Sequence, residues 1–517
     1  MTMTMTTATN MVDLAWVPVT GDGLDTVVSL RSALRDAHHF QGLGTGLLPI
    51  EREALLRFLE SLTAAVLHGL DPDEVADERR IPADAVDRFF GTYRHLFDLA
   101  DPDRPFLQEW HTPAPEPAEL ATTKYSPVRQ LHLRVPGGSS ASWGVSQESR
   151  DASDPGMLTI LLIVAWFHGK PSNAAGANFY RPTSGAKRSP ISGAPSGAPR
   201  DTVFHLVGRT LAETLLHSIP RAWLASEQAP AWLDQDAEPT PVDYAATGTL
   251  WRCTWTANRP RIVWTVDGCP DRYTLGLTQR LIPQVGDLEG KSSNADIWKA
   301  NAKAMSRGDY CRPLRQDPKK PGVTYPVHAP VNLGTAEGYE QWYRSSLSQD
   351  LSSWVDHEPR VLEPPQDVRV GFHNEVGDPY GNRSLSVWSV VPLAQLAVAG
   401  QQAVALGIVT SHVTGLVKAA GAAVKKGFLT SSQPRVVGDI RRLIYASLDE
   451  PVLAAVTAAG EGTVVDQAGI REAMTRRAVR AFMDATEPLL TPATGAAVHR
   501  SRAAYARLAH PKKETRS

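Results

Sequence analysis

The stretch from Val128 to Leu216 constrains this chain more than any other, because it alternates loops of small residues with segments that need burial. The first loop is Pro136-Gly137-Gly138-Ser139-Ser140-Ala141-Ser142-Trp143-Gly144. The second is a tandem turn, Ser192-Gly193-Ala194-Pro195 followed by Ser196-Gly197-Ala198-Pro199. Between them, Met157 to His168 (MLTILLIVAWFH) is the most apolar run of the segment and reads as a core helix. Behind them, Thr202 to His217 places Phe204, Val207, Leu211 and Leu215 near one helical face, which predicts an amphipathic helix. Small residues let a backbone approach a partner closely, and glycine reaches positive φ without a Cβ penalty. The prolines stiffen the second loop beyond what a linker requires. Two such loops held by core helices read as a scaffold for gripping a partner.

A chain of 517 residues predicts two or three domains. With 42% hydrophobic and 21% charged residues it has material for an ample core. The net charge of −2 lacks the basic excess of many nucleic-acid proteins, so any such role must come from local clusters. Cys253, Cys269 and Cys311 are too few and too scattered for a disulfide framework, and without a CxxC pair no zinc site built from cysteines alone is expected. They fit a reducing compartment. The start, MTMTMTTATN, has no secretory pattern, and the longest apolar run is about a dozen residues against the ~20 that span a bilayer. A cytoplasmic protein without a membrane partner is expected.

Leu14 to Val19 reads as a short edge strand, since Pro18 cannot donate to a central ladder. Thr26 to Leu30 is a second strand running into a helix. Glu51 to His68 has apolar residues at 55, 58, 59, 62 and 66, an amphipathic helix with Glu51 and Glu53 near its positive end. Ala83 to Phe97 is another, carrying Val86, Phe89, Phe90, Tyr93 and Phe97, and Asp101 to Pro105 ends it. From Trp223 to Val370, prolines, tryptophans and short alternating runs predominate. Thr249–Trp255 and Arg261–Val266 read as paired strands, with Trp251, Trp255 and Trp264 as core. Lys299 to Lys320 is the most basic internal segment, by default a solvated face.

Past a sharp turn at Gly377 to Ser384 the chain becomes alanine-rich. Helices are expected at about 385–428, 434–459, 463–486 and 492–509, with Ile440, Leu443, Ile444 and Leu448 on one face and Ile470, Met474 and Phe482 on another. Their exposed faces are rich in arginine, including Arg441, Arg442, Arg476, Arg477, Arg500 and Arg502. The fold class is therefore α+β: a large mixed N-terminal domain with small β units over 1–384, then a C-terminal four-helix bundle over 385–517.

Chemistry-bearing motifs are sparse. Gly286-Asp287-Leu288-Glu289-Gly290-Lys291-Ser292 has three residues between its glycines where a Walker A loop needs four. HExxH, GxSxG and GxGxxG are absent. His38, His39, His95, His168 and His217 lack metal-ligand spacing and read as core or surface fillers. No catalytic residue, cofactor or metal site is expected.

The order of features nevertheless resembles the CasA family, the large subunits of type I-E CRISPR surveillance complexes (Cascade). Trp16-Val17-Pro18-Val19 is similar to the family's W-[IV]-P-V, and Arg104-Pro105-Phe106-Leu107-Gln108 to its HPF[ML]Q. Pro136 to Trp143 resembles its small-residue loop. Ser196 to Thr202 and Gly208 to Leu216 resemble its LRGGxPxTT segment and the GxxLxxTLLxN helix after it. Ser501-Arg502-Ala503-Ala504-Tyr505 is similar to its closing helix. The chain departs from the family where LRGG becomes Pro195-Ser196-Gly197-Ala198. It departs again where the glutamine wedge would fall on Tyr380-Gly381-Asn382-Arg383-Ser384.

The resemblance implies recognition in place of catalysis, with other Cascade subunits, crRNA, target double-stranded DNA and a helicase-nuclease as partners. Gly137, Gly138, Ser139, Ser140 and Ser142 would contact the crRNA end and the adjacent subunit. Ser192, Gly193, Ser196 and Gly197, with Lys319 or Lys320, would enter the minor groove of the PAM duplex. That groove tells A·T from G·C and little else. Asn382, Arg383 and Ser384 would act as the wedge, and Arg441, Arg442, Arg476, Arg477, Arg500 and Arg502 would hold nucleic-acid backbone. The alternatives are a cytosolic hydrolase or transferase, and a helical scaffold that binds only protein.

Overall fold

A computed structural model of the chain describes residues 9–109, 126–131, 152–168, 202–226, 229–234, 242–243, 248–255, 259–265, 267–276, 281–282, 313–316, 319, 324–345, 347–357, 359–376, 385–427 and 433–510. It divides into two compact units. One comprises Met1–Pro326 and Glu358–Val390, the other Val327–His357 and Val391–Ser517. The helical unit thus includes Val327–His357, which the expected division at 384/385 had left in the N-terminal domain.

The first unit opens with β1 (Ala15–Gly21), β2 (Leu24–Ser29), α1 (Leu30–Arg35) and β3 (Gly42–Leu43). The sheet order is β2-β1-β3, so β1 is central and the edge-strand expectation is corrected. Pro18 is tolerated because β3 is only two residues long. The Pro18 carbonyl still accepts from the Gly44 N–H at 3.0 Å, and the missing donor faces chain that has already left the ladder.

The centre of the unit is α2 (Pro49–Val66). Pro49 occupies the first helical position, and the Glu51 carboxylate accepts from the Leu48 N–H at 2.9 Å. The apolar positions 55, 58, 59, 62 and 66 are buried as expected, but so are Glu53, Arg57 and Glu60. After α3 (Ala83–Tyr93) comes α4 (Pro155–His168), the apolar run, packed against α2. Its Trp166 indole donates to the Thr254 carbonyl at 2.7 Å.

The expected helix over 202–217 is corrected to β4 (Val203–Val207) followed by α5 (Leu211–Ser218). Val203 to Leu206 are buried on both faces, which favours a strand of branched and aromatic residues over a one-sided helix. Gly208 and the Thr210 cap, whose hydroxyl accepts from Glu213 N–H at 3.1 Å, then restart the chain as a helix.

The hairpin expected around residue 258 is also corrected. Thr249–Thr254 is a helix, α6. Its neighbour β5 (Arg259–Trp264) pairs antiparallel with β6 (Pro270–Gly276). Trp251 and Trp255 are buried, and Trp264 packs partly buried against the core. β7 (Leu314–Gln316) and β8 (Thr324–Pro326) form a small antiparallel pair. β9 (Arg369–Val376) and β10 (Leu385–Pro392) complete a sheet of order β10-β9-β4.

The second unit contains α7 (Ala336–Arg344), α8 (Leu347–His357) and a bundle of α9 (Gly400–Gly427), α10 (Gln433–Gly460), α11 (Gln467–Thr486) and α12 (Gly495–Ala509). The helix expected from 385 is corrected to a strand over Leu385–Pro392 and one short helical turn over Leu393–Leu396, with the long helix beginning at Gly400. Leu406, Val409, Val413, Ile440, Ile444, Leu448, Met474, Phe482 and Tyr505 are buried, and the Phe482 and Tyr505 rings stack at 4.3 Å. Leu443, expected on the buried face, is half exposed. By length and composition alone α9 could cross a membrane, but Leu406, Val409 and Val413 face the interior of the unit.

A Cβ at position 208 would collide with Glu213 Cβ and lie 2.9 Å from that residue's carbonyl carbon. Gly208→Ala should therefore destabilise the first unit by about 1–3 kcal/mol. Urea denaturation followed by tryptophan fluorescence checks this, and an unchanged midpoint would show that the strand–helix junction yields freely.

Candidate nucleic-acid interface

The β10-β9-β4 sheet brings together segments that are far apart in sequence. Val203 at the start of β4 pairs with His373 near the end of β9. The Thr202 hydroxyl donates to Asn374 Oδ1 at 2.5 Å. The segment holding the Ser192–Pro199 turns joins His168 to Thr202, and the segment holding Asn382–Ser384 joins β9 to β10. His168, the last residue of α4, meets His373 edge to face with ring centroids 5.3 Å apart. The described ends of both segments therefore meet at one edge of one sheet.

Beneath that edge lies a buried polar cluster. Glu53, Arg57 and Glu60 follow one stripe of α2, at spacings of four and three residues. In the antiparallel register, His205 and His373 project from the same face of the sheet. His205 Nδ1–H donates to Glu60 at 2.8 Å, and its Nε2 lies 3.8 Å from Glu53. His168 Nε2 is in direct ion-pair contact with Glu53, and an Arg57 amino group is 3.8 Å from the same carboxylate. Burial raises the Glu53 pKa, but His168, His205 and Arg57 outweigh it and hold the carboxyl well below the usual range. Burial likewise opposes charge on His205, yet Glu60 and Glu53 push its pKa up to about 9.

These residues were missed by motif reading, which took His168 as a filler and Glu53 as a helix-end charge. The available signal was a 53-57-60 charged stripe within the apolar body of α2, opposite histidines inside two apolar strands.

Of the residues expected to bind, Gly137, Gly138, Ser139, Ser140, Ser142, Ser192, Gly193, Ser196, Gly197, Lys320, Asn382, Arg383 and Ser384 lie outside the described residues. Lys319 is exposed, in the segment between β7 and β8. The bundle arginines are placed, and they carry partners. Arg441 pairs with Glu337 at 2.8 Å, Arg442 with Asp439, Arg476 with Glu472 at 3.2 Å and Arg477 with Glu450 at 2.8 Å. These are exposed pairs, worth about 0–1 kcal/mol each. Arg502 differs. It is 16% exposed and binds Glu487, the Thr486 hydroxyl and the Met483 carbonyl, tying α12 to the end of α11. Arg500 donates to the Gly427 carbonyl at 3.4 Å.

Residues 10–363 match the family model of the CRISPR-associated protein Cse1. The chain belongs to the Cse1 (CasA) family. This member is 26% identical over 271 residues to the CRISPR-associated protein CasA/Cse1 of Thermus thermophilus, a match spanning 50% of this chain and 50% of that relative. Its fold is similar to Thermobifida fusca Cse1, with a TM-score of 0.67 at 19% identity, covering 97% of this chain and 98% of that one. It is also similar to a chain of a CRISPR RNA-guided surveillance complex, with a TM-score of 0.65 at 18% identity, covering 96% and 99%.

Glu60→Ala should leave the His205 imidazole buried without its main carboxylate and destabilise the first unit by about 3–5 kcal/mol. Chemical denaturation of the full chain measures this. A loss below about 1 kcal/mol would show that the pair is not a dry, buried one.

Proposed function

We propose that this Cse1-family member is the large subunit of a type I-E Cascade complex, a recognition protein and not an enzyme. It reads the PAM of target double-stranded DNA, promotes strand opening for crRNA pairing, and helps recruit a helicase-nuclease. Family membership and the likeness to a chain of a surveillance complex support the class of assembly. The observation that carries the finer reading is the shared edge of the β10-β9-β4 sheet. A groove-entering turn around Ser192–Gly197 and a wedge at Asn382–Ser384 need to act at adjoining base pairs, and the described residues that flank the two segments, Thr202 and Val376, stand at the ends of neighbouring strands at that edge, which supports the reading.

In this reading the small turn, with Lys319 or Lys320, enters the minor groove, where small side chains fit and a lysine neutralises phosphate. The readout there is permissive, which suits a short motif. Gly137 to Ser142 contact the crRNA end and the neighbouring subunit. Guide pairing then supplies sequence specificity, as in other RNA-guided systems. Arg441, Arg442, Arg476 and Arg477 exchange their exposed carboxylates for nucleic-acid backbone. Arg500 and Arg502 would add to this contact, with Arg502 bound mostly to its own bundle.

A gel shift with PAM-containing and PAM-scrambled duplexes, with and without guide-loaded partner subunits, tests the reading. PAM-dependent binding that appears with the partners is expected, and no DNA binding under any condition would overturn it. Replacing Lys319 and Lys320 with Ala should weaken PAM-duplex binding and flatten its salt dependence by roughly one unit of slope per lost phosphate contact. An unchanged slope would remove both lysines from the groove.

The double variant Arg442→Ala, Arg476→Ala should change stability by less than about 1 kcal/mol. It should reduce affinity equally for scrambled and PAM duplexes. Selective loss on the PAM duplex would assign these arginines to base reading.

A further inference from the structure

Glu53, His168 and His373 each offer one ligand atom, and these atoms lie within 4.8 Å of one another. They come from three elements: α2, the end of α4, and β9. His205 completes the surroundings, with Nε2 3.8 Å from a Glu53 oxygen. Its other nitrogen is held by Glu60 at 2.8 Å. That arrangement, a carboxylate fixing one imidazole nitrogen while the other is aimed inward, is how proteins orient histidine ligands for a metal.

Two further observations point the same way. The α2 stripe carries two carboxylates and one guanidinium, so it lacks one positive charge before the imidazoles are counted. A single imidazole proton would balance the charge but not the hydrogen bonding. His168 Nε2 and both Glu53 oxygens lie at this centre and His205 Nε2 lies beside it, 3.8 Å from a Glu53 oxygen, yet none of these buried atoms makes a hydrogen bond of good geometry among the described residues. A cation at that centre satisfies these lone pairs together.

We propose that this cluster is a structural site for a divalent transition metal of the zinc type, held by Glu53, His168 and His373, with His205 Nε2 in the fourth position. Imidazole and carboxylate donors suit zinc, whose four ligands at 2.0–2.1 Å stand roughly 3.3 Å apart; Glu53, His168 and His373 bring one ligand atom each within 4.8 Å of one another, and His205 Nε2 lies 3.8 Å from a Glu53 oxygen. The site is closed: Glu53 and His205 have no exposed side-chain surface and His168 exposes 7%. Its role is to staple α2, α4 and β9 beneath the sheet edge. The ion enters as the ligands lose their protons, with no bond made or broken in the chain. The inference stands independently of the DNA-recognition reading.

The test uses the full chain expressed in zinc-supplemented medium. Elemental analysis after desalting should find about one equivalent of zinc. Stripping with a chelator should lower the Tm by several degrees, and added Zn2+ should restore it. Co2+ added to the stripped wild-type chain should give the visible d–d absorption of a four-coordinate ion, a readout that needs no variant. His168→Ala with His373→Ala should abolish that absorption and the response of Tm to chelator. The proposal is overturned if the desalted wild type holds less than about a tenth of an equivalent and neither Zn2+ nor Co2+ changes its Tm or spectrum. It is equally overturned if a folded double variant, with wild-type circular dichroism, still binds one ion with the same spectrum.

Discussion

The first unit depends on a polar stripe carried through its own centre. Because α2 is covered on nearly every side, Glu53, Arg57 and Glu60 have no route to solvent, and their charges must be met from the elements packed against them. His205 of β4 and His168 of α4 meet the carboxylates, and His373 of β9 packs against His168. An apolar stripe of equal volume could be as stable, since desolvation offsets much of the Coulomb gain. What the polar stripe adds is position. A one-residue slip of β4 against β9 would turn His205 or His373 to the opposite face and strand the carboxylates, so the pairing register and the placement of α2 determine each other.

That fixed register also sets the positions of the described residues that flank two undescribed segments. Here one edge serves both the segment after His168 and the segment after Val376, and the buried cluster lies directly under it. The helical unit works by a different physics. Arg442, Arg476 and Arg477 carry exposed carboxylate partners, so this surface is not a field of bare positive charge.

The elements that were legible in the sequence are those whose pattern and environment agree. Met157–His168 is uniformly apolar and forms a fully packed helix, and the four bundle helices follow their apolar spacing to within a few residues except at the first start. Thr202–His217 misled because its apolar spacing also fits a helix; only burial on both faces made its first part a strand. Thr249–Trp255 has strand-like composition but folds as a helix, with Trp166 donating to its Thr254 carbonyl and Trp251 to Asp234. Pro18 argued for an edge and instead occupies a central strand, because the third strand is too short to need its missing N–H.

Sequence alone determined the family, the α+β class, the helical bundle and the inventory of small-residue turns and basic residues. These rest on local periodicity and on ordered short motifs such as Trp16-Val17-Pro18-Val19, which survive without knowledge of neighbours. Only the tertiary structure decided that Glu53, Glu60, His168, His205 and His373 share one centre, and that two remote segments share one sheet edge. Spacing along the chain has no information on strand order or on which helix face is covered. Those follow from packing, where a charge lacking solvent has to find its partner across the fold.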